Sequence, residues 1–128
     1  MAKLIEVLPV REAPGEGLRR WFTSSEMDLI IWCDDLGTPV SFQLCYDKPG
    51  AERALTWKPD LGFLHTAVDD GEIVDGKHKA TPILVADGHF DANRITERFA
   101  QASVDLPNAI TVFVRERLRR YPGYIHAS

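Results

Sequence analysis

"MDLIIWCDDLGTPVSFQLCYD", residues 27–47, decides the fold of this chain. Apolar and polar side chains alternate strictly over residues 40–47, and residues 27–34 carry a second alternating apolar set. A period of two predicts a β-strand with one dry face. The turn signal "DLGTP" joins the two runs into an antiparallel hairpin. Its register follows, because a slip of one residue would expose a whole apolar row.

Short strand-like segments flank this hairpin on both sides. The sequence predicts strands at residues 18–24, 52–58 and 61–68, separated by turns that contain glycine, proline and aspartate. Residues 3–10 are apolar enough for a short strand or a packing arm, and residues 81–86 resemble one more strand. Connections this short favour an antiparallel meander, because parallel strands need crossover helices.

The sequence changes to a helical period near its end. Asp91 is a suitable N-cap for a helix over "ANRITERFAQAS", in which apolar residues recur on one face. A second helix is expected to begin near Pro107 and to end before Pro122.

These segments together predict a single α+β domain over residues 1–128. Residues 1–86 are expected to be mainly β-sheet, as an antiparallel meander of about five to six strands. Residues 87–128 are expected to be mainly helical, with two C-terminal α-helices packed on the sheet.

Composition and charge exclude several classes of partner. The chain has 128 residues and a formal net charge of −4, whereas a duplex-binding protein normally presents a basic face. The basic run at residues 115–120 is interpreted as the solvated last turn of a helix. No run reaches the length of a membrane span, and "LIEVLPV" is too short and too interrupted for a signal peptide. We therefore expect a cytoplasmic protein with no nucleic acid, no membrane and no cofactor among its partners.

The two cysteines are expected to be structural. Cys33 and Cys45 lie at opposite ends of the predicted hairpin, roughly 15 Å apart at about 3.3 Å per residue, which is too far for a disulfide. Both stand among large apolar neighbours, so each is interpreted as a small buried hydrophobe and not as a nucleophile.

The segment "HTAVDDGEIVDGKHK", residues 65–79, is rich in histidine and carboxylate. The spacing does not follow that of a calcium-binding loop, each glycine follows an aspartate as in tight turns, and two lysines would repel a cation. The favoured interpretation is therefore a pair of turns, with no metal expected. Candidate metal ligands, should that interpretation fail, are His65, Asp70, Glu72, Asp75 and His78.

The alternative interpretation of the segment 65–79 is that it forms the site of a hydrolase- or lyase-type enzyme. Such an enzyme would be metal-dependent or would rely on histidine and aspartate. Its general base would be His65, with Asp69, Asp70 or His78 as orienting groups or metal ligands. His89, between two aspartates, is a further candidate for a catalytic base, although those aspartates also suit a turn and a helix N-cap.

The more polar face of the predicted sheet is the preferred place for a function. It would form a mixed floor of one large aromatic, small residues and an amide, which suits a binding surface. Trp32, Gln43 and Thr56 are the residues expected to contact a ligand. The sequence leaves open which face the helices cover. We expect a non-enzymatic binding module that uses its sheet face, with a small molecule, a protein or a second copy of the chain (a homodimer) as partner.

Overall fold

The predicted hairpin lies at the centre of a seven-stranded sheet. The structure, a computed structural model, describes residues 2–13, 17–68, 84–86 and 90–126. Its strands are β1 (Ile5–Ala13), β2 (Gly17–Thr23), β3 (Met27–Cys33), β4 (Pro39–Tyr46), β5 (Arg53–Lys58), β6 (Gly62–Val68) and β7 (Leu84–Ala86). Two helices follow, α1 (Ala92–Ala102) and α2 (Asn108–Arg120).

The strand order is that of a simple meander. Each strand is hydrogen-bonded to its neighbour in the chain, in the order β1-β2-β3-β4-β5-β6-β7, and every pair is antiparallel. Both segments that the sequence marks as optional strands, at the start of the chain and near residue 85, belong to the sheet, so the strands within the described residues number seven. The predicted α+β fold, with two helices after the sheet, is confirmed.

The register of the central hairpin is the one that apolar pairing predicts. Leu29 lies opposite Leu44, and Ile31 lies opposite Phe42. The Asp34 carboxylate holds the turn by accepting the backbone N–H groups of residues 36 and 38, each at 2.9 Å. The register shifts at the turn end of the hairpin, and Val40 there is 37% exposed although it belongs to the predicted apolar set.

Both helices pack on the apolar face of the sheet, which we call the inner face. Asp91 caps α1 as predicted, since its carboxylate accepts the backbone N–H of Arg94 at 3.2 Å. Phe113 of α2 meets Phe42 edge-on, with ring centroids 6.2 Å apart. The buried core comprises Leu4, Phe22, Met27, Leu29, Ile31, Cys33, Phe42, Leu44, Tyr46, Leu55, Phe90, Ala92, Ile95, Phe99, Ala102, Ile110, Val114 and Leu118.

Ion pairs fix α1 across one end of the sheet. Arg94 donates two hydrogen bonds to the Asp47 carboxylate, at 3.0 and 3.2 Å, and Asp47 occupies the turn after β4. Arg98 lies 3.6 Å from Glu26 in the turn before β3. Because the helices are held on the inner face, the more polar face of the sheet remains outside them. Neither described helix combines the length and the apolar character needed to cross a membrane.

Candidate interaction surface

The outer face of the sheet, on the side away from the helices, carries a continuous row of side chains. Strand pairing sets one residue from each of six neighbouring strands side by side across the sheet. We call this set the central row: it comprises Val7, Trp21, Ile30, Gln43, Thr56 and Leu64.

The apolar members of this face are unusually open to solvent. Trp21 is 45% exposed and Leu64 is 47% exposed, although both lie within regular strands. Val7, at 40%, and Ile5, at 69%, extend the apolar surface across β1. Single exposed apolar residues are ordinary, but a contiguous set that includes a tryptophan is typical of a surface that meets a partner.

The three predicted binding residues lie together on this face. Gln43 and Thr56 are opposite each other, and the Gln43 amide donates a hydrogen bond of 3.1 Å to the Thr56 hydroxyl. Trp32 is opposite Ser41, one step along the strands from Gln43, and is half-buried. The amide is therefore held in place by the sheet itself, with an indole beside it.

The carboxylate of Asp28 on the outer face is neutralised locally. Its oxygen accepts hydrogen bonds from the Thr23 hydroxyl, at 2.5 Å, and from the Lys48 ammonium group, at 2.9 Å. By strand alternation Arg19 and Lys58 also belong to the outer face, and both are exposed. In the described part of this face the central row is apolar from Val7 to Ile30 and again at Leu64, with the polar pair Gln43–Thr56 between them. Cations lie to one side of the row and an ion pair to the other.

Neither cysteine is poised as a nucleophile. Burial, followed by the nearby carboxylates of Glu52 and Asp28, raises the pKa of the Cys45 thiol to about 12. Burial also raises the pKa of Cys33, which belongs to the core. Both thiols are free, and both remain protonated at neutral pH, where a thiol is a poor nucleophile.

His65 lies in the core and does not reach the outer face. Its Nε2 shares a hydrogen bond of 2.5 Å with the Tyr46 hydroxyl, and the residue is 8% exposed. The ring of Phe90 packs against the imidazole, with centroids 5.1 Å apart. A histidine enclosed by two aromatic rings and bound to a tyrosine hydroxyl is placed to support the packing of β6 against the start of α1.

The other candidates from the segment 65–79 cannot be placed. Asp69, Asp70, Glu72, Asp75 and His78 lie outside the described residues, as does His89. Within residues 2–13, 17–68, 84–86 and 90–126, no group of three or more histidine, cysteine or carboxylate side chains is arranged to hold a metal ion. The roles predicted for the segment therefore stay predictions.

Three exposed members of the central row, Val7, Trp21 and Leu64, do not stand out in the sequence. One signal for Trp21 is available: Trp21 and Phe22 are adjacent in a strand, so their side chains must lie on opposite faces. Only one of them can enter the core, and Phe22 is the fully buried one. The sequence does not say which of the two that is.

Comparison with known proteins does not assign a function to this surface. No family of proteins matches this chain, and neither a curated protein nor a solved structure is significantly similar to it.

Proposed function

We propose that this protein is a non-enzymatic binding module, and that its outer sheet face associates with a second copy of the chain to form a homodimer. The observation that carries the proposal is the exposed central row, in which Trp21 and Leu64 remain about half open to solvent in regular strands. The protonated thiols and the enclosed position of His65 support binding over catalysis. The free cysteines suit the reducing cytoplasm as the place of action.

The edges of the sheet are poor sites for self-association. Strand β1 contains Pro9, which has no N–H to donate, and its register shifts between Val7 and Arg11. The described part of strand β7 is short, with three residues, Leu84–Ala86. Pairing edge to edge would therefore gain few hydrogen bonds, and the face offers the larger surface.

The size of the face suits a weak, reversible dimer. Six strands at about 4.8 Å spacing and roughly 20 Å of strand length give at most about 500 Å² per copy, because Ala54 and Thr66 of this face are already buried, at 0% and 1% exposed. Two copies would then bury at most about 1,000 Å² together, which is near the lower limit for a specific interface. We therefore expect association in the micromolar range, which corresponds to about −8 kcal/mol.

Charge selects the relative orientation of the two copies. A two-fold axis parallel to the strands would bring the cationic sides of both faces together. An axis across the strands instead places each central row against its counterpart, with the cationic Arg19 side of one copy against the side of the other that carries the neutralised Asp28–Lys48 pair, so like charges are kept apart. In this arrangement every position of the central row meets the same position in the second copy.

Sedimentation equilibrium over a range of protein concentrations tests the proposal. Leu64→Lys should abolish the dimer, because the two-fold axis sets the two introduced ammonium groups against each other. Leu61→Lys is the matched control, since Leu61 is 73% exposed and lies in the turn before β6. The wild-type protein and Leu61→Lys should dimerise alike. A wild-type protein that stays monomeric at all concentrations, or equal behaviour of the two variants, would overturn the proposal.

A further inference from the structure

A cleft of about 570 Å³ lies at the C-terminal end of α2, away from the outer face. Its walls come from the last turn of the helix and from the tail that follows it. They combine cationic and aromatic side chains with one carboxylate: Glu116, Arg119, Arg120, Tyr121, Pro122, Tyr124 and His126.

The aromatic wall of the cleft is held in place by the fold. Tyr121 packs edge-on against Phe63 and Phe90, with ring centroids 5.2 and 4.8 Å apart. The turn that follows is closed by the backbone N–H of Tyr124, which donates to the Tyr121 carbonyl at 2.8 Å. The shape of the wall therefore exists before any ligand arrives.

The tail that completes the cleft is fastened to the start of α1. The Asn93 amide donates to the Ile125 carbonyl at 2.7 Å, and its carbonyl oxygen accepts the Ile125 N–H at 2.9 Å. This paired contact fixes the backbone between Tyr124 and His126, whose rings meet edge-on at 4.7 Å. Two independent attachments thus position the aromatic residues beside the end of α2.

The cationic wall is not neutralised by the described part of the chain. Glu116 lies 3.9 Å from Arg117, whereas Arg119 and Arg120 have no ion pair with any described residue. The protein as a whole carries a net charge of −4, so this end of α2 is a local positive region on an acidic molecule. The partial negative charge of a helix C-terminus favours cations here, but it does not neutralise both guanidinium groups.

We propose that this cleft binds a small organic anion that carries a flat ring, such as an aryl phosphate or an aromatic carboxylate. The anionic group is held by Arg119 and Arg120, whose planar guanidinium groups donate paired hydrogen bonds to phosphate or carboxylate oxygens. The ring packs against Tyr121 and Tyr124. The volume of the cleft falls within the usual range for small-molecule sites, about 300–1,000 Å³.

Titration with phenyl phosphate, followed by ¹H–¹⁵N correlation spectra, tests the proposal. Inorganic phosphate and phenol serve as the separate halves of the probe. The double variant Arg119→Gln/Arg120→Gln should weaken phenyl phosphate binding by at least about tenfold. Arg115→Gln is the control, because Arg115 is an exposed arginine of the same helix that does not line the cleft, and it should leave the affinity within about twofold.

The expected pattern is shifts confined to residues 116–126, with phenyl phosphate binding more tightly than either half alone. Equal binding of inorganic phosphate would overturn the proposal, since the aromatic wall would then contribute nothing. Absence of shifts, or an equal loss of affinity in Arg115→Gln, would overturn it as well. All three arginines are exposed, so the variants are expected to fold, and circular dichroism verifies that they do.

Discussion

Trp21 and Phe22 are adjacent in β2 but lie on opposite faces of the sheet. Replacing each one in turn therefore tests the core and the proposed dimer interface separately. The Phe22 side chain is 0% exposed within the core. Phe22→Ala should therefore lower the free energy of unfolding by about 3–5 kcal/mol. Trp21 is 45% exposed on the outer face, so Trp21→Ala should lower the same free energy by only about 2 kcal/mol. Phe22→Leu is the milder substitute should Phe22→Ala not fold.

The same Trp21→Ala change should act mainly on self-association. With 45% of the side chain exposed, an aromatic group of roughly 200 Å² still has about 90 Å² to bury against a partner. Two copies of Trp21 meet across the proposed two-fold axis and bury about 180 Å² between them, worth roughly 2–4 kcal/mol after the costs of association. The dissociation constant should rise by a factor of about 30 to 1,000.

Two measurements check this reasoning. Urea unfolding, followed by circular dichroism at a concentration where the monomer predominates, gives the free energies of unfolding. Sedimentation velocity gives the dissociation constants. A loss of stability in Trp21→Ala as large as that in Phe22→Ala would refute the assignment of faces. A small loss of stability with an unchanged dissociation constant would instead refute the proposed interface.

Three further substitutions test a buried thiol, a helix cap and a buried hydrogen bond. The raised pKa of the Cys45 thiol, about 12, means that the folded state holds this proton more tightly than the unfolded chain does. The free energy of unfolding should therefore fall between pH 9 and pH 12, and less steeply in Cys45→Ala, as alkaline urea titrations would show. Asp91→Ala removes the cap bond to the Arg94 N–H and should cost about 1 kcal/mol in thermal unfolding. Tyr46→Phe removes the buried hydrogen bond to His65 and should cost about 1–2 kcal/mol in urea; a change within error would mean that the bond contributes nothing.

The fold could be predicted because its signals are local. The alternation over residues 40–47 gives the strand and its dry face, and the turn chemistry of Asp34 and Gly37 gives the reversal. Asp91 similarly marks the start of α1 through a bond that spans three residues. None of these features requires knowledge of what lies elsewhere in the chain.

The candidate interaction surface was harder to predict because it depends on long-range packing. Which face becomes the outer one is decided where the helices dock, and the Asp47–Arg94 contact spans 47 positions in the chain. The exposure of Trp21 follows from that docking and not from its own neighbours. The C-terminal cleft likewise depends on Asn93 meeting Ile125, a pairing across 32 positions that composition does not reveal.

The strand order has a consequence for synthesis on the ribosome. From β1 to β6 each strand pairs with its neighbour in the chain across a short connection, so this part of the sheet can form hairpin by hairpin without closing a long loop; about 15 positions separate β6 from β7. The helices that shield Phe42 and the rest of the inner face are translated after the strands that they cover. The emerging sheet therefore exposes its apolar inner face until α1 and α2 have left the exit tunnel, and this is the stage of synthesis at which the chain is most open to aggregation.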